Sequence, residues 1–330
     1  GELVHKNAPL PFNADNYHVP LDNSAHSYSP LTYFQERSLN KQHSGTSLIF
    51  SSEAMGMSYL KSALKKFVSL DTGNTSGLFS EMPAEILCAD TMSGWLEKHM
   101  ESNKKYENLV VYKRIYETDN KDIAGCVNQA LQFCNRHQSR KRWIRIYFVF
   151  DHLSTWKWVA LPEHIRKEIE DKADASIVTR KWNLEGLKQR LAQHEKMYHE
   201  NILAQTLAVT GGWPLLLDIL FERCRKHDDV RQFLPQMESE LKDSTSKLRK
   251  DFLAALGILD NTVARSLLIG VKDLEDEDPV PTDMLIPSYI GNELNADDCR
   301  NGIEYLSRMS CLDMQSDAVC LDPIVKAVLS

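Results

Sequence analysis

From residue 46 onward the chain alternates short apolar runs with stretches of helical period, and after Trp182 that alternation stops. The runs Thr46–Phe50, Ala84–Asp90, Asn108–Glu117, Ile144–Asp151 and Ala175–Arg180 read as strands, separated by helices near 58–69, 92–102, 120–137 and 162–173. Strands joined through helices are parallel, so the pattern predicts an α/β fold in which helices cover a parallel sheet. Beyond Trp182 only helical patterns follow, near 184–194, 196–209, 214–227 and 229–257. The rest carries two short helical patterns, an acidic loop LEDEDPVP at 274–281, a helix Asp297–Met309 and two apolar stretches, Cys311–Met314 and Ala318–Leu321. Helices followed by a small hairpin predict a winged-helix-like module. The expected division is an arm over 1–43, an α/β domain over 44–183, a helical lid over 184–258 and the winged-helix-like domain over 259–330.

A chain of 330 residues is long enough for about two domains with real cores. The first 43 residues are rich in Asn, Pro, Ser, His and Tyr, and Pro9, Pro11, Pro20 and Pro30 block regular structure, so they read as an extended arm lying on a neighbour. Lys and Arg number 39 against 46 Asp and Glu, and the resulting −7 gives no bulk attraction to nucleic acid or to an anionic membrane. The longest apolar run, Ile146–Phe150, falls far short of the ~18 residues that span a bilayer, and the opening GELVHKNAPLPF has no apolar signal core. Membrane insertion and secretion are not expected. Cys88, Cys126, Cys134, Cys224, Cys299, Cys311 and Cys320 are odd in number, scattered and free of any CxxC pair, which predicts a reducing cytoplasm and no zinc ribbon or disulfide framework. A chain opening on Gly1 instead of Met is expected to be a piece of a longer protein.

The first strand is followed by SSEAMGMS, at the place where a phosphate-binding loop of pattern GxxxxGK[ST] would stand. In such a loop backbone amides cradle phosphates, the lysine reaches the β and γ oxygens, and the hydroxyl holds magnesium. Ser51 stands for the first glycine, Gly56 keeps the second, Met57 replaces the lysine and Ser58 keeps the hydroxyl before the helical run YLKSALKKF. An ordinary strand-to-helix turn fits the same segment. The strand RIYFVFDH supplies Asp151 at the end of an apolar run, where a magnesium-positioning carboxylate belongs, with His152 in the place of a water-activating Glu. A third segment, TGGWPLLLDIL, has Gly211 and Gly212 for a tight turn and Pro214 at the first helical position, a pattern that a capped core helix also gives.

In this order, with IVTRKWNLEGLKQRL at 177–191 and a terminal helix-and-hairpin segment, the chain resembles the STAND and AAA+ families of P-loop ATPases over residues 44–330. The resemblance implies ATP or ADP as the cofactor, with Ser51, Gly56, Met57, Ser58 and Asp151 around the phosphates and Arg180 in the region of a sensor arginine. It also implies that Trp213 and Pro214 pack near the nucleotide base and report its state to the lid. The departures, Ser51, Met57 and His152, fall on the catalytic positions. A lysine on phosphate makes charge-assisted hydrogen bonds worth ~1.5–3 kcal/mol each and stabilises the transferring phosphoryl; methionine does neither. The following Lys61, Lys65 and Lys66 lie on the next helix and are expected in solvent.

The basic stretch RHQSRKRWIR holds Arg136, Arg140, Lys141, Arg142 and Arg145 around Trp143, and suits either phosphates or a solvated turn into a buried strand. His194 and His199, five apart, do not form the HExxH pattern of a metalloprotease. No GxSxG turn is present, and adjacent Asp151 and His152 would point to opposite faces of a strand, against a hydrolytic dyad. The helix Asp297–Met309 carries only Arg300 and Arg308 as cations, fewer than a DNA-reading helix uses. The expected function is a catalytically inactive regulatory or scaffolding module, in contact with other subunits or flanking domains, of an assembly such as a prokaryotic defence or signalling system. The alternatives are an active ATPase that takes its cation from elsewhere, and a DNA-associated module.

Overall fold

The computed structural model describes Val19–Pro20, Ser27–Tyr28 and residues 44–329 apart from 58–59, 62–63, 66–67, 69–76, 87–88, 116–121, 139–141, 180, 185–186, 189–198, 225–229, 275–278, 290–293 and 316. Most of the expected arm, and the candidates Ser58 and Arg180, therefore lie outside the described residues. Within the arm, Val19–Pro20 pairs antiparallel with Ser27–Tyr28.

Five parallel strands form the central sheet: β1 (Gly45–Phe50), β2 (Gly77–Glu81), β3 (Asn108–Ile115), β4 (Trp143–Phe150) and β5 (Ala175–Val178), in the spatial order β2-β3-β4-β1-β5. Every residue of β1 and β4 is buried, which is why both are legible as continuous apolar runs. The second strand departs from expectation: it is Gly77–Glu81, and the run beginning at Ala84 forms a turn and then the start of a helix. As a half-exposed edge strand, β2 carries no apolar run to betray it.

Helices α1 (Ala89–Ser102), α2 (Ile123–Arg136), α3 (His152–Val159) and α4 (Glu163–Lys172) accompany the sheet. Sequence reading passed over α3, which follows β4 after a single residue. Phe50 and Phe150, directly opposite in the β1–β4 register, stack at 4.8 Å, and Trp158 of α3 tilts onto Phe150 at 5.2 Å.

The stretch expected to form a lid holds α5 (Glu200–Thr210), α6 (Pro214–Cys224), α7 (Leu234–Lys242) and α8 (Lys247–Leu256). The long helix expected over 229–257 is broken because short polar side chains offer its backbone other partners. Asp243 accepts from both the amide and the hydroxyl of Thr245 at 2.8 Å, and Ser246 accepts from the amide of Leu248 at 3.1 Å, capping α8.

The C-terminal segment runs α9 (Thr262–Leu274), β6 (Val280–Pro281), α10 (Thr282–Tyr289), α11 (Ala296–Arg308), β7 (Leu312–Gln315), β8 (Ala318–Leu321) and α12 (Pro323–Leu329), with β8 antiparallel between β6 and β7. Helix α11 packs on α9 and on α3, where Trp156 meets Tyr305 edge-on at 5.5 Å. One apolar core thus extends from the sheet through helices α5–α8 into this segment. Among the described residues no helix is long and apolar enough to cross a membrane. Cys134, buried beside Thr46, has its thiol pushed up to about 12 by desolvation, as suits a small core residue.

Candidate nucleotide site at the carboxyl end of the sheet

Strand β1 lies between β4 and β5, and the chain leaves it for the far edge strand β2 before returning. Such a reversal of strand order opens a crevice at the carboxyl ends, where open α/β sheets bind ligands. Ser51 and Asp151 both stand there, each one residue beyond a strand, and the amide of Ser51 donates to the carbonyl of Phe150 at 3.0 Å. The two motif positions read from sequence are therefore neighbours.

The loop between β1 and the following helix is a short 3-10 turn, Glu53–Met55, closed at Gly56 with φ 74°. The left-handed backbone at Gly56 suits glycine, which has no Cβ to clash there. The amide of Met55 donates to the carbonyl of Ser52 at 3.0 Å, that of Gly56 to Glu53 at 3.0 Å, and that of Met57 to Ser52 at 3.2 Å. Three consecutive amides that a phosphate cradle would present outward are thus engaged by the loop's own carbonyls. Ala54, Met55 and Met57 are at most 1% exposed, and the turn packs against α6 and α8. The hydroxyl of Ser51 accepts from Thr179 Oγ1 at 2.8 Å, which ties the loop to the end of β5.

Asp151 is also occupied. Its Oδ1 accepts from the amide of Ser154 at 2.9 Å and from its hydroxyl at 2.8 Å, the N-cap of α3. Its Oδ2 faces Arg114 Nη2 at 3.6 Å, and the same guanidinium lies 3.4 Å from Glu53 of the loop. Glu53, Arg114 and Asp151 therefore form a chain of charge across the crevice. His152, in the place of the water-activating carboxylate, packs on Gly257 at the end of α8, where an added Cβ would lie 2.1 Å from its ring.

Trp213 and Pro214 open α6. Gly211 and Gly212 are both left-handed, and Gly212 lies so close to Trp182 that a Cβ would come within 2.1 Å of its carbonyl oxygen. Trp213 is wholly buried; its Nε1 donates to Asp322 Oδ1 at 3.0 Å and its ring meets Phe252 edge-on at 5.3 Å. Asp322 also caps α12 through the amides of Ile324 and Val325, each at 3.0 Å, and pairs with Lys181. Burial draws the Lys181 pKa down, but Asp322 and Asp313 outweigh it and hold the ammonium above the ordinary lysine value. Trp213 and Lys181 are thus bound to the C-terminal segment, a pairing not foreseen from the sequence.

The basic stretch divides. Arg142 donates to the carbonyls of Met100, Asn103 and Tyr106, capping the end of α1, and Arg145 is buried within β4. Neither is presented to a phosphate, which corrects the reading of five cations on one patch; Arg140 and Lys141 lie outside the described residues. His194 is outside them too, and among the described residues no cluster of His, Cys, Asp or Glu could hold a metal ion.

Sequence reasoning missed Glu53, Arg114, Thr179 and Asp322. For Asp322 a signal existed, since Asp followed by Pro323 is a cap-and-first-turn helix start. Arg114, with buried Lys113 donating to the carbonyls of Pro83 and Ala84, was a charged pair ending an apolar strand.

No family model and no curated protein matches the sequence. Among solved structures, the Walker-type ATPase PABY2304 of Pyrococcus abyssi superposes with a TM-score of 0.53 at 11% identity, over 91% of this chain and 94% of that one. The ORC2 protein of Aeropyrum pernix gives a TM-score of 0.49 at 11% identity, over 96% of each chain. At such identities the first likeness is one of fold. The strand order, the crevice and that superposition define an α/β P-loop NTPase-like fold.

Proposed function

We propose that the chain is a P-loop-fold regulatory or scaffolding module of a larger assembly, acting through protein contacts and turning over no ATP of its own. The observation that carries this reading is the closed loop: the amides of Met55, Gly56 and Met57 are held by Ser52 and Glu53. Glu53 adds a carboxylate where phosphate charge would have to enter, and Asp151 is engaged as a helix cap. The same features leave ATP or ADP without a cradle. A cytoplasmic setting fits the free thiols of the described cysteines.

The order helix, strand, two helices and hairpin over 259–330 supports a winged-helix-like reading of that segment. Its helix α11 suits protein contact better than DNA: Arg300 pairs with Asp297, and Arg308 is tied to Glu170 and Glu304. One observation favours the active-enzyme alternative, namely Arg114 as a cation 3.6 Å from Asp151. The deciding experiment is magnesium-dependent ATP hydrolysis by the whole chain and by Asp151→Ala. The proposal expects equal background rates, whereas turnover that disappears in the variant favours the enzyme.

A further inference from the structure

Helix α11 ends in a turn that glycine ordinarily makes. The amide of Cys311 donates to the carbonyl of Leu306 at 2.9 Å and that of Ser310 to Ser307 at 3.0 Å, the paired bonds that close a helix through a left-handed residue. Here that residue is Ser310, with φ 59°, and among the described residues it is the only non-glycine with a positive φ. A Cβ in that backbone carries strain that glycine would not. Ser310 is 1% exposed, and its Oγ donates to the carbonyl of Thr179 at 3.0 Å. The hydroxyl is what the strained residue supplies and a glycine could not.

Thr179 in turn holds the nucleotide loop. Its amide donates to the carbonyl of Phe50 at 3.0 Å and its Oγ1 to Ser51 Oγ at 2.8 Å. Ser51 precedes Ser52, whose carbonyl takes two of the three inward amides, those of Met55 and Met57. The side chain two residues before Ser310 reaches the same place: the Arg308 guanidinium lies over the Phe50 ring at 4.3 Å, fixed by Glu170 and Glu304, each at 2.8 Å. Arg166 of α4 pairs with the same Glu304. The end of α11 thus grips both residues at which β1 passes into the loop, Phe50 directly and Ser51 through Thr179.

We infer that the end of α11 is a latch that keeps the nucleotide loop shut, with Ser310 and Thr179 as its positioning residues. Their contacts run in series, so cutting either one frees Ser51, and Ser52 with it, to swing away from the amides it holds. Lifting α11 from the sheet opens the loop by the same route, with no nucleotide needed. The latch rests on the closed-loop reading proposed above and accounts for what holds that loop shut.

The test is amide hydrogen exchange of the whole chain, read residue by residue, for wild type, Ser310→Gly, Thr179→Val and the double variant. In Ser310→Gly the amides of Met55, Gly56 and Met57 should exchange about five- to tenfold faster, the scale of one lost hydrogen bond. Those of Val110 and Val111, buried in the middle of β3, should be nearly unchanged. Relief of the backbone offsets the lost bond in the fold as a whole, whereas only the bond distinguishes the shut loop from the open one. Thr179→Val keeps the side-chain shape, removes its donor and should speed the loop amides to the same degree. Because the links are in series, the double variant should be no faster there than either single one. Unchanged loop amides in Ser310→Gly, equal acceleration at Val110 and Val111 in that variant, or a double effect equal to the product of the single ones overturns the latch. These rates are read without nucleotide, so ATP hydrolysis by the wild type would count against the proposed function separately.

Discussion

The amide of Met57, the residue in the place of a phosphate-binding lysine, donates to the carbonyl of Ser52 across 3.2 Å. The loop's departure from a nucleotide cradle is therefore one of backbone as well as of side chain. Restoring the missing charge does not by itself reopen the amides.

Met57→Lys should not create a nucleotide site. The position is 1% exposed, and an ammonium there without a carboxylate costs on the order of 3 kcal/mol or neutralises. Urea unfolding should show that loss, and calorimetric titration with ATP should show no gain in binding. Tight ATP binding by this variant would mean that the loop opens readily.

Gly257→Ala combines two penalties, a left-handed backbone at φ 73° and a Cβ set against the ring of His152. The expected total is about 2–4 kcal/mol, of which the backbone part is about 1. In a His152→Ala background the steric part should vanish and leave only the backbone part. Additive effects of the two substitutions would show that His152 is not wedged against α8.

Asp322→Asn removes the charge that balances Lys181 and weakens the cap of α12 and the bond to Trp213. At neutral pH the expected destabilisation is about 3 kcal/mol, since an almost buried ammonium keeps only the more distant Asp313. The Lys181 pKa is raised on folding, so the pair's contribution is whole below the unfolded lysine value and is lost as pH rises through the folded one. The gap between wild type and variant should therefore be widest near neutrality and narrow at strongly alkaline pH to what the cap and the Trp213 bond contribute. A gap that widens with alkalinity contradicts the pairing.

Arg142→Ala should cost about 1–3 kcal/mol through the uncapped carbonyls of α1, and should leave any DNA affinity unchanged. Unfolding curves and a DNA titration at two salt concentrations separate these effects. A variant of full stability with reduced DNA affinity would return Arg142 to a phosphate-binding role.

The parts of the fold that are buried on both faces were the most legible. Strands β1 and β4 read directly because burial demands unbroken apolar runs, and their order before the GGWP turn pointed to the fold. Edge strand β2 was misplaced because none of its five residues is fully buried and so no apolar run marks it, and the break at Asp243–Ser246 was missed because it rests on local side-chain capping that periodicity does not register. The loop's substitutions were visible in SSEAMGMS. That its amides turn inward was not, since that depends on Ser52 and on helices α6 and α8 pressing from distant sequence. For the same reason Trp213 could be singled out while its partner Asp322, 109 residues away, could not.

The central claim is that the loop from Ser51 to Met57 is closed to nucleotide. Its most direct test is isothermal titration of the whole chain with ATP and with ADP, each with and without magnesium, after unfolding and refolding to strip any bound ligand. The closed loop predicts no saturable heat with either nucleotide at concentrations up to the millimolar range. Stoichiometric micromolar binding that requires magnesium and is weakened by Asp151→Ala would contradict it, since the loop would then have to release all three amides to phosphate.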